Sequence, residues 1–236
     1  MLGIELDRPY VVMVASHDGD ESSGACDHLL RKVVCREHDR SGERAGLRIS
    51  YLQYEGKAVY IITGIRTAAA GEVLALADSL IQVSVEARAP LSIGISEQLT
   101  GSGSLALAYS QASRALELGR AVYGAGKAVS YASLAPYLML QKLDARALGA
   151  FAEAELGALR REGREGGVLL ETLRAFLESG GELKSAAEKI FIHRNTLDYR
   201  LRRIEKILQY DIRDPETQFR LRLAMAAMIL SKLAHD

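Results

Sequence analysis

Every strand-like run of this sequence lies before residue 134, and from there to the end the pattern is helical. That change of period constrains the fold more than any composition figure, because strands need strands beside them and helices cannot extend a sheet. Two cores are therefore expected, one over residues 1–135 and one over 167–236, with 136–166 as a helical connector. At 236 residues, with 48% apolar side chains, the chain can fill both.

From Pro9 to about Tyr131 strand and helix patterns alternate. "PYVVMVAS" (Pro9 to Ser16) is apolar and β-rich, and runs into the polar loop "HDGDESSG". A helix is expected next, about Ala25 to Glu37. "LRISYLQYEG" and "KAVYIITG" then meet at a Glu-Gly-Lys turn, the sign of a hairpin. A helical run from Ala68 to Ala87, a strand opened by Pro90, a long helix to Val122 and a short strand from Ala128 complete the segment. The order β-α-β-β-α-β-α-β predicts an α+β fold, a ferredoxin-like split sheet with its helices on one face.

The second segment opens with "PYLMLQKLDARALGAFAEAELGAL", a helix or helix pair, and then "REGREGG" (Arg161 to Gly167), which reads as a charged, glycine-punctuated linker. "VLLETLRAFLESGG" stops at a double glycine. Asp214-Pro215 is a cap followed by proline at the first helical position, opening the last helix. In that helix Leu221, Leu223, Ala224, Met225, Met228 and Ile229 suit its own core or a dimer contact, and core is the preferred assignment.

Between these lies "SAAEKIFIHRNTLDYRLRRIEKIL" (Ser185 to Leu208). Ala186 and Ala187 allow a second helix to cross closely, Ile190 and Ile192 anchor a short turn, and Leu197, Leu201, Ile204 and Leu208 form an apolar stripe. The opposite side carries His193, Arg194, Asn195, Thr196, Tyr199, Arg200, Arg202 and Arg203. This is the pattern of a DNA-reading helix-turn-helix. Formal net charge is zero, yet His193 to Lys206 holds five cations (Arg194, Arg200, Arg202, Arg203, Lys206) against Asp198 and Glu205, so any pull on nucleic acid is local. Arg194 is the leading candidate for a base contact, with His193, Thr196 and Tyr199 beside it. Arg200, Arg202 and Arg203 are placed as phosphate clamps. Asn195 or Thr196 could instead cap the helix N-terminus.

"HRNTLDYRL", His193 to Leu201, matches the H-R-N-T-L-x-Y-R-L hallmark of bacterial transcription regulators of the CdaR (sugar diacid) and PucR (purine catabolism) type without a gap. The helix pair is also similar to that of the Fis nucleoid protein, in which the positions equivalent to His193, Arg194, Thr196 and Tyr199 face DNA. The first segment resembles, less sharply, the GGDEF-like domain that precedes this helix-turn-helix in the same family. The resemblance implies a DNA-binding regulator of a catabolic operon, with sugar diacids as the expected target class. It implies double-stranded DNA as partner, a homodimer or higher homo-oligomer, and a sensory domain upstream that this chain lacks. The GGDEF-like domain would then act as a relay or dimerisation module.

An active nucleotide cyclase of that fold needs paired carboxylates for metal ions and a glycine-rich hairpin. The hairpin here, "QYEGKAV", has one acid and one glycine, so no catalytic residue is assigned. Asp18, Asp20 and Glu21 cluster beside His17, which favours a solvated or capping loop over a divalent-ion site with Glu55. The calcium-loop pattern fails, with Ser23 and Leu29 where glycine and glutamate belong. Cys26 and Cys35 read as two small residues of one helix rather than a bridge or a clip. "GISEQLTGSGS" lacks the lysine of a phosphate loop and suits a helix-capping turn. Tyr51, Tyr54 and Tyr60 suit packing on a sheet face. No metal or cofactor is expected. No run suits a membrane crossing or a secretory signal, so a cytoplasmic protein is expected. The competing reading is a ligand- or nucleotide-binding signalling adaptor whose helical domain binds protein.

Overall fold

The computed structural model describes residues 6–18, 48–64, 70–86 and 88–234. The expected helix at Ala25 to Glu37, both cysteines, Asp20 and Glu21 lie outside the described residues. The chain divides into two compact units, Met1–Pro136 and Tyr137–Asp236.

The first unit is built on a five-stranded sheet of order β2-β3-β1-β4-β5, with β1 Tyr10–His17, β2 Arg48–Tyr54, β3 Lys57–Thr63, β4 Leu91–Ile95 and β5 Ala128–Ser130. β3 lies between β1 and β2, which is the split of the split sheet, and pairs antiparallel with both. β4 runs antiparallel to β1, while β5 joins its free edge in parallel. The β2-β3 hairpin closes on Tyr54 opposite Lys57, with Glu55 (φ 50°) and Gly56 (φ 73°) both left-handed, the two-residue turn whose twist fits a hairpin. Tyr51 and Tyr60 are register partners with rings 5.4 Å apart, and Tyr54 meets Tyr109 edge-on at 5.2 Å. Tyr60 is buried and Tyr51 half-buried on the sheet face, as expected, whereas Tyr54 at the hairpin end is exposed.

Helices cover both faces of this sheet, not one. Helix α1 (Ala70–Glu86) sets Val73, Leu76, Ala77 and Leu80 against Val11, Met13, Ala15, Tyr60 and Ile62. Helix α2 (Leu105–Tyr123) sets Ala108, Ala112 and Leu116 against Tyr10, Val12, Val14, Val59 and Ile61 on the other face. The reason is visible in β1 itself. A strand with one wet face alternates, whereas Tyr10 to Ala15 are buried without interruption and can only be covered twice.

At Gly94 helix α2 lies directly on β4, and a Cβ there would stand 2.0 Å from the Ala112 carbonyl oxygen and 2.3 Å from the Leu116 nitrogen. "GISEQLTGSGS" is thus explained from its first residue by packing. At its end Ser104 does not cap α2 through its side chain; its hydroxyl donates to the carbonyls of Thr100 and Gly101 instead. Asp18 is also accounted for. Its side chain, 6% exposed, accepts from Arg120 Nε (2.9 Å), Ser92 Oγ (2.6 Å) and the Gly126 nitrogen (2.8 Å), while Arg120 also donates to the carbonyls of Ser16 and His17. Glu55 accepts from Tyr109. Among the described residues no group of three or more His, Cys, Asp or Glu is arranged to hold a metal ion.

The second unit is helical. After α3 (Ala135–Leu140) come α4 (Ala145–Arg160, capped by Asp144), α5 (Arg164–Glu178), α6 (Leu183–Lys189), α7 (Arg194–Leu208) and α8 (Pro215–Leu233). Residues 136–166, expected as a connector, fall in α3, α4 and the start of α5, and Leu156 and Leu159 of α4 lie in the same core as Leu173, Phe176, Leu201 and Leu221. The run "REGREGG" is a tight corner: Gly163 turns the chain at φ 60°, and a Cβ on Gly166 would meet the Leu159 carbonyl oxygen at 2.1 Å. These glycines allow close helix packing where composition suggested slack. Asp214 caps α8 by accepting from the Thr217 nitrogen at 2.8 Å, with Pro215 at the first helical position. Leu221, Ala224 and Met225 enter the core and Met228 packs against it. Among the described residues no helix is long and apolar enough to cross a membrane.

Replacing Gly94 with valine drives a branched side chain into helix backbone, which cannot yield as a flexible side chain would. A loss of at least about 3 kcal/mol in chemical denaturation is expected, the upper range for overpacking; an unchanged midpoint would show that α2 can lift off β4.

Candidate nucleic-acid interface

Helices α6 and α7 cross with Ala186 and Ala187 buried between them, and the stripe Leu197, Leu201, Ile204 and Leu208 faces the core. Burying that stripe decides which side of α7 looks outward. His193, Arg194, Asn195, Thr196 and Tyr199 are all exposed on its first two turns, as is Arg202 further along. Ile190 and Ile192 are half-buried against the core and anchor the turn from both sides.

The turn itself is a complete Schellman motif. Ile192 donates its N–H to the Ala187 carbonyl (3.0 Å) and Phe191 donates to Glu188 (3.2 Å), with Phe191 left-handed at φ 54°. The N-terminus of α7 is capped by His193, whose Nδ1 accepts from the Asn195 nitrogen at 3.2 Å. Asn195 and Thr196, the expected alternatives for that task, are left with exposed side chains. An accepting Nδ1 requires the proton to sit on Nε2, so the capping bond also fixes a donor on the other edge of the ring.

The remaining cations are engaged within the unit. Arg200 is half-buried and donates to Thr172 Oγ1 of α5 at 3.4 Å. Arg202 pairs with Asp198 at 3.0 Å, and Asp198 also takes Arg213 at 3.3 Å. Arg203 pairs with Glu162 (3.4 Å) and Glu165, at the α4-α5 corner. Together with Tyr199, Arg202, Lys206 and Ile207, Glu162 and Arg203 line an open depression of about 640 Å³ on the flank of α7. Glu178 of α5 holds Lys189 of α6 and Arg174 of its own helix. Burial pushes the Glu178 carboxyl up, but the hydrogen bonds and charges of Lys189 and Arg174 outweigh it and hold the group below the usual carboxylate range.

Two family models match this chain. The model of the GGDEF-like domain matches residues 1–118, half of the chain, and the model of the PucR C-terminal helix-turn-helix domain matches 169–227. The chain belongs to the family of the GGDEF-like domain, and its helical region is similar to the PucR C-terminal helix-turn-helix domain. The purine catabolism regulatory protein of Bacillus subtilis is 32% identical over 144 residues, which cover 61% of this chain and 27% of that protein. The proline-responsive transcriptional activator PutR of the same organism is 31% identical over 147 residues, 59% of this chain and 34% of its own length. The chain therefore spans about a third or less of these two relatives, both named as regulators of genes rather than as enzymes. A solved structure, a regulator of polyketide synthase expression from Bifidobacterium adolescentis, overlaps 96% of this chain and 82% of its own at 19% identity and a TM-score of 0.39.

Three features of this site were missed by sequence reasoning. Phe191 was passed over as part of an apolar turn, although it is 94% exposed. His193 was assigned to DNA alone, because histidine is a less familiar cap than the asparagine and threonine that follow it. The ion pair of Glu155 with Arg220 (2.6 Å), with Arg220 stacked 5.0 Å over the Tyr210 ring, ties α4 to α8 and has no local signal, since its partners are 65 residues apart.

His193→Ala removes the cap and is expected to lower stability by about 1 kcal/mol, and His193→Ser to restore it; thermal denaturation of the pair separates capping from any role on DNA. The pH dependence has a definite sign. Glu178 and Asp214 both titrate below their ordinary values when folded, Asp214 because it accepts hydrogen bonds from Thr217. Their stabilisation is therefore present in full above the unfolded carboxylate range and disappears as pH falls through and below it. Denaturation midpoints followed from pH 7 to pH 3 are expected to drop less steeply in Glu178→Gln.

Proposed function

We propose that this chain is the DNA-binding part of a transcription regulator that places α7 in the major groove. One observation carries the reading: the apolar stripe of α7 is buried while His193, Arg194, Asn195, Thr196 and Tyr199 stand together on its exposed leading turns. Arg194, which forms no ion pair within the described part of the unit, is the base-reading residue, suited to a bidentate contact with guanine. Asn195 offers the complementary chemistry for adenine. His193 donates from Nε2, and Thr196 and Tyr199 donate hydroxyls, to flanking phosphates or base edges.

Arg202 and Arg203 reach phosphates by exchanging their carboxylate partners, and Arg200 acts mainly through α5. One such helix covers only a few base pairs, so a homodimer or higher oligomer on repeated half-sites is part of the reading. The GGDEF-like unit serves as the relay or dimerisation module. The relatives are named for purine catabolism and for a response to proline, which supports control of catabolic genes. None of these names supports a sugar-diacid operon, so that target class is set aside in favour of a nitrogen-compound catabolic operon.

Selection from random duplex pools at two salt concentrations tests this. The folded chain is expected to enrich a repeated motif, with affinity falling steeply as salt rises. Arg194→Ala is expected to cost roughly ten- to a hundredfold on the selected site and to relax one position of it. A folded chain that enriches nothing, with affinity insensitive to salt, would overturn the reading in favour of a protein-binding adaptor.

A further inference from the structure

Within eleven residues the same turn is built twice. Helix α5 ends in a Schellman motif in which Gly181 donates to the Phe176 carbonyl (3.0 Å) and Gly180 to Leu177 (3.2 Å), with Gly180 left-handed at φ 65°. Helix α6 ends in the same motif with the same bonding pattern, but its left-handed position is Phe191 at φ 54°. That position strongly favours glycine, because a Cβ there crowds the backbone. A phenylalanine in it would be explained if the ring filled a core, but the side chain is 94% exposed. The fold gains nothing from this ring and bears the strain of holding it.

We propose that Phe191 makes an apolar contact to duplex DNA at the edge of the major groove, beside the recognition helix. The inference rests on the DNA-binding reading above. What selects DNA as the occupant is position: one residue separates Phe191 from His193, the cap of α7, and two residues of extended chain span about 7 Å. Whatever surface meets the first turn of α7 therefore also meets this ring. Arg194, which forms no ion pair among the described residues, and the Nε2–H of His193 lie within three residues of it and suit the phosphate rails. Between those rails duplex DNA offers apolar faces, the thymine C5-methyl group and the deoxyribose ring, and an aromatic side chain suits either. The left-handed backbone lifts the side chain off the turn, away from the core that Ile190 and Ile192 occupy.

The test uses the full chain and the site obtained by selection. Phe191→Gly relieves the backbone and Phe191→Asn tolerates the left-handed conformation, so neither is expected to lower the thermal midpoint. Both are expected to weaken binding roughly tenfold, the scale of one lost groove contact, with the salt slope unchanged because no phosphate ion pair is removed. Replacing each thymine of the site with deoxyuridine in turn identifies the surface: a position that penalises the wild type and not Phe191→Gly marks a thymine methyl, and the absence of such a position marks the sugar. Wild-type affinity in both variants would overturn the proposal while leaving the DNA reading intact. A wild-type chain that binds no DNA, with Arg194→Ala no different, would instead remove the reading on which it rests.

Discussion

The second unit depends on the crossing of α6 and α7, where Ala186 and Ala187 are buried. Once those two methyl groups meet the stripe of α7, the rotation of α7 about its axis is determined, and so is the set of residues it exposes. Ile190 and Ile192, on either side of the turn, oppose any change of crossing angle. A single rotation error would exchange Arg194 for Leu197 at the surface. The interface is therefore specified by packing, and its polar residues need do nothing to hold themselves in place.

Electrostatics then sorts residues that look equivalent in the sequence. Five cations against two acids between His193 and Lys206 suggest a strong local field, but Glu162 and Glu165 arrive from the α4-α5 corner and Arg213 competes for Asp198. The presented charge is more even than the segment alone implies. Exposed ion pairs of this kind contribute at most about 1 kcal/mol each, so a phosphate can replace a carboxylate on Arg202 or Arg203 at small cost. Arg194, outside that network, needs no such exchange. The arginines are thereby divided along the helix, with Arg194 outside the ion-pair network and Arg202 and Arg203 within it.

What could be read from the sequence followed from how local each determinant is. The Glu55-Gly56 hairpin, the Asp214-Pro215 cap, the double-glycine stop of α5 and the stripe of α7 are each set within a few residues, and each was found. The second covered face of the sheet was misjudged, although the unbroken apolar runs of Val11 to Val14 and Val59 to Ile62 carried the signal: strands without alternation need cover on both sides. Gly163 and Gly166 failed differently. Their composition resembles a linker, and only the approach of Leu159, brought by the fold, shows that one makes a turn and the other a packing contact. In the site, exposure of the leading face could be inferred, but the division of the arginines could not, because Glu162 and Thr172 are distant in sequence.

The first unit tells the same story about acids that the second tells about cations. Asp18 stands at the end of β1 where a metal-binding carboxylate would be useful, yet Arg120, Ser92 and the Gly126 nitrogen all converge on it and its two oxygens are both engaged. That network joins the end of β1 to β4, to α2 and to the turn before β5, so it closes the sheet around its parallel edge. A carboxylate so deeply paired is strongly destabilising to leave alone and gains little from a cation it would have to share with Arg120. The fold has thus turned a position suited to chemistry into a structural clamp, while the β2-β3 hairpin retains only Glu55, held by Tyr109.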